Sequence, residues 1–88
     1  MIRRVPDPSE HKVYVQVAAV FQTDGRLLPV SFVWEDGRRY KIDQILDVVR
    51  AASLKAGGIG MRYTCMVQGR ETNLFLEEDR WFMERRGE

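Results

Sequence analysis

Few side chains in this sequence could act as nucleophiles, metal ligands or acid–base groups, and those few do not form a set. The chain has one cysteine, Cys65. A catalytic thiol needs a base within reach and a lowered pKa. Cys65 instead alternates with Tyr63 and Val67, residue types that are typical of a protein core. We therefore predict that Cys65 is a packed thiol and not a nucleophile.

Neither the single histidine nor the nearest pair of carboxylates predicts a reaction centre. His11 has no second histidine with which to share a metal ion, so we expect a structural or solvent-exposed role for it and no metal site. Asp43 and Asp47 are four residues apart, and on a helix the two carboxylates would share one face and could divide acid and base roles. Asp43 is better explained as a helix N-cap and Asp47 as a turn residue. We expect a protein that has no catalytic residues and no cofactor and is not an enzyme.

Basic residues are concentrated in one part of the sequence, although the whole chain carries a net charge of only +1. Tyr40 and Tyr63 lie among them, and proteins that bind single-stranded nucleic acid combine basic grooves with stacking aromatic rings. Alternation along a strand places each tyrosine on the opposite face from its basic neighbours. A solvated basic face is therefore the simpler interpretation, and a nucleic-acid surface is the alternative. The candidate nucleic-acid-binding residues are Arg38, Arg39, Lys41, Arg50, Lys55 and Arg62.

Two tryptophans are the best candidates for binding a protein partner. Trp34 and Trp81 are expected to lie in the core or at its rim. An exposed tryptophan is a natural hot spot of a protein interface. Self-association is a second possibility, because an exposed edge strand can pair with its own copy, and residues 80–83 are the candidate edge.

Length and composition predict one globular domain. The chain has 88 residues, of which 44% are hydrophobic and 31% are charged, which is ordinary globular composition.

The longest apolar run, residues 17–21, is far shorter than the ~20 residues that span a bilayer, and we find no pattern of a signal peptide. A lone cysteine is typical of a reducing compartment. We therefore expect a cytoplasmic protein.

Hairpin signals dominate the sequence and predict its fold class. Asp24-Gly25, Asp36-Gly37 and Gln68-Gly69 supply the conformations that tight hairpin turns need, and Glu78-Asp79 predicts a fourth turn. Residues 12–21, 59–68 and 72–77 alternate as strands do. We predict an all-β (mainly β) domain, a small barrel or sandwich of about six to seven antiparallel strands.

The segment that follows Ile42 is ambiguous. Ile42, Ile45, Leu46 and Val49 have the spacing of one helical face, and a helix could extend to Ala52. The β-branched residues that follow favour a strand equally well. We predict one short helical turn near 43–47 and a strand at about 48–54. The domain is expected to span residues 12–84, between a flexible N-terminal tail (1–11) and a charged C-terminal tail (85–88).

Several of these segments together resemble a known family. The runs that carry the resemblance are 24–30 (Asp-Gly-Arg-Leu-Leu-Pro-Val), 34–47 (from Trp34 to Asp47) and 80–85 (Arg-Trp-Phe-Met-Glu-Arg), with Arg50 and Arg62-Tyr63 between them. Over residues 12–86 the chain resembles a small bacterial domain of unknown function. A similar domain is the C-terminal module of inactive Y-family polymerase-like proteins that serve in DNA-damage-induced mutagenesis. The resemblance implies a fold and no catalytic residue.

These observations favour a small, non-enzymatic protein-interaction module. The alternative is a nucleic-acid-binding accessory module linked to the DNA-damage response, which the resemblance and the basic stretch both suggest.

Overall fold

The computed structural model describes residues 12–52 and 59–84, which form eight β-strands. The strands are β1 (Lys12–Tyr14), β2 (Gln16–Phe21), β3 (Leu27–Val33), β4 (Arg39–Lys41), β5 (Gln44–Ala52), β6 (Ile59–Val67), β7 (Arg70–Glu77) and β8 (Arg80–Glu84). The predicted tails at 1–11 and 85–88 lie outside the described residues, as do His11, Lys55 and the end of the strand predicted at 48–54.

The strands form two antiparallel sheets. The first has five strands in the order β1-β8-β7-β6-β5, and the second has three in the order β2-β3-β4. The sheets are not closed into a barrel, so the fold is sandwich-like. The predicted all-β class is confirmed, and of the two predicted architectures the structure has the sandwich.

Two stretches of chain pass from one sheet to the other, and backbone hydrogen bonds hold both crossings. Between β1 and β2, the Val15 N–H donates to the Trp81 carbonyl at 3.1 Å. Between β4 and β5, the Ile42 N–H donates to the Val30 carbonyl and the Asp43 N–H donates to the Met66 carbonyl, both at 2.9 Å. The single strand that we predicted for residues 12–21 is therefore two strands, each paired in a different sheet.

The helical turn predicted near 43–47 is wrong, because these residues lead into and form the first part of β5. The pairing of β5 with β6 shifts between Ile45 and Asp47, so Leu46 is the extra residue of a β-bulge. After the bulge, Val48 packs against the core as Ile42 and Ile45 do. A bulge thus turns the two-residue period of a strand into a three-residue spacing, which imitates a helical face.

The predicted hairpin turns are confirmed. Gly25, Gly37 and Gly69 have φ values of 92°, 85° and 76°, which glycine adopts at little cost. Asp24 and Asp36 each accept a hydrogen bond from the backbone N–H two residues later, at 3.0 and 2.9 Å. The aspartates therefore fix the turns from their side chains, as the Asp-Gly pattern predicts.

The core lies between the sheets, and the five-stranded sheet supplies most of it. From that sheet, Tyr63, Cys65, Val67, Leu74 and Met83 are buried in one cluster, to which β3 adds Phe32. The Tyr63 hydroxyl also ties the sheets together by donating to the Leu27 carbonyl at 2.6 Å.

The prediction that residues 80–83 form an exposed edge is wrong. β8 pairs with β1 on one side and with β7 on the other, so it is an interior strand. The outermost strands of the two sheets are β1, β5, β2 and β4.

Candidate functional site

An open groove lies where the end of one sheet faces a hairpin of the other. It has a volume of about 580 Å³, which is in the range of small-ligand sites. We call it the Trp34 groove. Its lining residues are Phe32, Trp34, Tyr40, Val67, Gln68, Arg70, Thr72 and Met83.

The β3–β4 hairpin builds the aromatic wall of the Trp34 groove. Phe32 and Tyr40 are register partners, and their rings stack with centroids 5.5 Å apart. Trp34 follows two residues after Phe32 and so lies on the same face of the hairpin. Two hydrogen bonds across the turn hold the Trp34 backbone. Its N–H donates to the Arg38 carbonyl, and its carbonyl accepts from the Gly37 N–H. The hairpin thereby contributes three aromatic residues to the lining of the groove.

The β6–β7 hairpin supplies the polar wall. Its turn residue Gln68 has a φ of 50° and donates its backbone N–H to an Asp43 carboxylate oxygen at 3.0 Å. Asp43 therefore anchors this hairpin to the start of β5 and does not cap a helix. Arg70 and Thr72 follow the turn, and Arg70 is exposed at the mouth.

The charge of the Trp34 groove is positive and comes from one residue. Among the described residues that line the groove, Arg70 alone carries a charge at neutral pH. A guanidinium binds carboxylates with two parallel hydrogen bonds, and aromatic walls accept flat or branched apolar groups. The groove can therefore hold an apolar side chain that has an acidic group close to it.

Trp81 lies elsewhere, so the structure does not bring the two predicted partner-binding residues together. Its ring is half-buried and packs against Tyr63 with centroids 5.3 Å apart. Both tryptophans are half-buried and pack against the core cluster, Trp81 from the five-stranded sheet and Trp34 from the β3–β4 hairpin, and of the two only Trp34 lines the groove.

The six predicted nucleic-acid-binding residues do not form one surface in the described part of the chain. Tyr40 faces the core, so its neighbours Arg39 and Lys41 point to the outer face of the three-stranded sheet. Arg62 pairs with Phe75 on the outer face of the five-stranded sheet. Arg38 lies in the turn before β4, Arg50 lies near the far end of β5, and Lys55 is outside the described residues.

The structure adds a row of residues that we did not predict. One line of register partners crosses the outer face of all five strands of the larger sheet. In order these residues are Tyr14, Phe82, Phe75, Arg62 and Val49. We call this set the outer row. It joins residues that are up to 68 positions apart, so no local pattern in the sequence could have indicated it.

Cations cover part of the outer row. The Arg80 guanidinium lies 3.6 Å from the centre of the Tyr14 ring, and the Lys12 ammonium lies 4.5 Å from the centre of the Phe82 ring. Phe82 also stacks on Phe75 with centroids 5.0 Å apart. The Nε atom of Arg62 is buried and has no hydrogen-bond partner among the described residues. This face therefore combines aromatic rings with basic groups.

The thiol of Cys65 is buried in the core, as predicted. Its Sγ lies 3.6 Å from the Tyr63 carbonyl, the one contact at hydrogen-bond distance that we find for it in the described residues. Burial raises the pKa of Cys65 from 9.0 to about 11, because the low-dielectric interior disfavours the thiolate. This is opposite to the shift that a nucleophilic cysteine requires.

We expect Cys65 to react slowly in the folded protein. At pH 8, a pKa raised by about two units lowers the thiolate population about 100-fold, and burial blocks the reagent as well. Iodoacetamide labelling followed by mass spectrometry should show rapid modification in 6 M guanidinium and almost none in buffer. Equal rates in the two solvents would show that the thiol is accessible in the native state.

The same shift predicts a loss of stability in alkaline solution. The folded thiol keeps its proton to a higher pH than the unfolded thiol does. The contribution of Cys65 is therefore fully present below about pH 9 and is lost as the pH rises through about 11. Urea unfolding at a series of pH values should show a smaller alkaline loss in a Cys65→Ala variant than in the wild type.

The remaining chemical candidates also have structural partners. Asp47 accepts a hydrogen bond from the Val48 N–H at 3.0 Å and is exposed, while Asp43 holds Gln68. In the described residues, no group of three or more histidine, cysteine, aspartate or glutamate side chains is arranged to hold a metal ion. None of the described segments forms a helix that could cross a membrane.

Comparisons with known proteins give no identification: no family model, no curated protein and no solved structure matches the chain.

Proposed function

We propose that this protein is an interaction module that binds a short peptide segment of a partner protein in the Trp34 groove. The observation that carries the proposal is the composition of the groove, which is lined by three aromatic residues and one exposed arginine. Aromatic residues and arginine are the residue types most enriched in interface hot spots. The partner segment should present an aromatic or branched apolar side chain next to an aspartate or glutamate.

Several features of the groove support a preformed site. Trp34 is fixed by two backbone hydrogen bonds of its turn, and the opposite turn is anchored by Asp43. A site that is ordered before binding loses less conformational entropy when the ligand arrives. The chemistry of the lining residues supports recognition and not catalysis, because the charged group is an arginine that stays protonated.

The proposal can be tested with defined peptides. Fluorescein-labelled hexapeptides in which Phe or Leu is placed beside Glu would be titrated with the protein, and binding would be followed by fluorescence anisotropy. An Arg70→Gln variant should weaken the best peptide by about tenfold, the value of one charge-assisted hydrogen bond. Trp34→Leu should weaken it further.

Arg39→Gln is the matched control, because Arg39 is also exposed but points to the outer face of the three-stranded sheet. It should leave peptide affinity unchanged. Equal losses of peptide affinity in the Arg70 and Arg39 variants would show that the peptide binds by general charge attraction, which would contradict the proposal. Urea unfolding of each variant would verify that the fold is retained.

A second candidate function is the binding of single-stranded nucleic acid by the outer row, as an accessory module of the kind that the family resemblance suggests. The arrangement of Tyr14, Phe75 and Arg62 on one sheet face supports it, since bases stack on aromatic rings exposed on a sheet. The charges of that face oppose it. Lys12 approaches Glu77 at 3.7 Å. Glu71 alternates with Phe75 and Glu77 on β7, so it adds a second carboxylate to the same face, and both would repel phosphates. We therefore rank it second.

Gel-shift assays with single-stranded oligonucleotides at about 50 mM salt would decide this case. If the outer row binds, Phe75→Leu and Arg62→Gln should abolish the shift and Arg39→Gln should not. The absence of any shift with wild-type protein would remove this candidate.

A further inference from the structure

We propose that the free edge of β2 pairs with β2 of a second copy, so that two chains form a symmetric dimer with a continuous six-stranded sheet. This inference is independent of the Trp34 groove. Within the described residues β2 pairs with β3 only, on one of its two sides. Its other side has no partner strand among the described residues.

The hydrogen bonds at the two ends of β2 establish which of its backbone groups face outward. The Val15 N–H points toward β8, because it donates to Trp81. The Gln22 N–H points toward β3, because it donates to the Arg26 carbonyl. Backbone groups alternate in direction along a strand, so the groups of Val17, Ala19 and Phe21 point to the same side as Val15.

Two further observations agree with this alternation. Ala19 lies opposite Pro29 in the pairing of β2 with β3. Proline has no N–H to donate to Ala19, which agrees with Ala19 backbone groups that point away from β3. The irregularity in the β2–β3 pairing leaves Val30 of β3 as the extra residue, so β2 itself runs without interruption from residue 16 to residue 21. β2 therefore offers three consecutive outward pairs of N–H and C=O groups.

The side chains of β2 lack the protection that other edge strands carry. Proteins usually place charged residues on exposed edges to prevent pairing. β1, β4 and β5 each contain at least one charged residue, whereas none of the six residues of β2 is charged. Val20 and Phe21 are also 48% and 75% exposed, which leaves apolar surface beside the free edge.

A second copy of the chain is the occupant that this pattern fits. A two-fold axis through Ala19 would place the two alanines opposite each other and Val17 opposite Phe21, so the outward groups of both chains would meet in register. No charges of like sign would face each other. The same symmetry applied to β4 would oppose Arg39 to Lys41, which disfavours pairing through that edge.

The contact is small, so the dimer should be weak. Six paired residues extend for about 20 Å, less than a stable interface of standard size requires. We expect a dissociation constant on the order of 10 μM. Sedimentation equilibrium between 1 μM and 500 μM should show the weight-average mass rise from the monomer value of 10.3 kDa toward twice that value.

Ala19→Lys is the sharpest test, since the two-fold axis would bring the two lysines face to face. This variant should remain monomeric at 500 μM. Thr23→Lys is the matched control: it adds the same charge at an exposed turn position beyond the strand, and it should dimerise as the wild type does. A wild-type protein that stays monomeric throughout, or an Ala19→Lys variant that still dimerises, would overturn the proposal.

Amide hydrogen exchange provides a second measurement with a residue-by-residue signature. Exchange at Val17, Ala19 and Phe21 should slow as protein concentration rises, while the Ala18 and Val20 amides, which face β3, should be protected at every concentration. If Ala19 and Phe21 were protected equally at 1 μM and at 500 μM, their partner would belong to the same chain and the dimer would be excluded.

Discussion

Replacing Leu74 with alanine is expected to lower the free energy of unfolding by about 3 kcal/mol. Leu74 is 1% exposed and belongs to the cluster between the two sheets. It lies opposite Tyr63 in the pairing of β6 with β7, two central strands of the larger sheet. Truncation would remove its apolar contacts and leave a cavity that the paired strands cannot close.

Leu46→Ala is the matched control for this experiment. Leu46 is also a leucine in the five-stranded sheet, but it occupies the bulge of β5 and is 41% exposed. Its replacement should cost about 0.5 kcal/mol or less. Urea unfolding followed by tryptophan fluorescence would give both values. Similar losses for the two leucines would mean that the core is not centred on β7.

The local features of this fold could be predicted from the sequence because they depend on few neighbouring residues. Asp24 and Asp36 each bond a backbone N–H two positions away, and the glycine that follows adopts a positive φ, so each turn is encoded in four residues. The burial of Cys65 followed from simple alternation with Tyr63 and Val67. These predictions were correct because no distant contact had to be known.

The segment after Ile42 shows why the spacing of apolar residues predicted the wrong secondary structure there. A strand with a bulge at Leu46 and a helix produce nearly the same spacing of apolar residues. The choice between them depends on whether a partner strand is present. β6 provides that partner, with Ile45 opposite Cys65, but pairing over twenty residues is not visible in the pattern of either segment alone.

The candidate site was predictable only in part for the same reason. The sequence made Trp34 a candidate for partner binding, and the structure places it in the groove, whereas Arg70 was one of several basic residues between 38 and 70 with nothing to single it out. The two residues line one groove because the sheets pack with the β6–β7 hairpin facing the β3–β4 hairpin. Sheet packing also separated basic residues of one basic stretch of the sequence, such as Arg39 and Arg62, onto different outer faces.

Replacing Phe32 with alanine should have the largest effect of all, a loss of about 4 kcal/mol in the free energy of unfolding. Phe32 is 5% exposed and is the buried aromatic residue that β3 contributes to the core cluster. The larger sheet supplies most of that cluster, so the three-stranded sheet depends heavily on this one ring for its contact with the core. Loss of the ring also leaves Tyr40 without its stacking partner.

Phe21→Ala is the control for Phe32→Ala, because Phe21 is 75% exposed on β2. At about 0.1 μM protein, roughly a hundredfold below the dissociation constant expected for the dimer, Phe21→Ala should change stability by less than about 0.5 kcal/mol. A milder variant, Phe32→Leu, should keep the fold but alter one wall of the Trp34 groove, so it should weaken peptide binding while Phe21→Ala leaves it intact. Equal unfolding energies for the two alanine variants would show that the sheets do not pack through Phe32, and the groove between them would lose its structural basis.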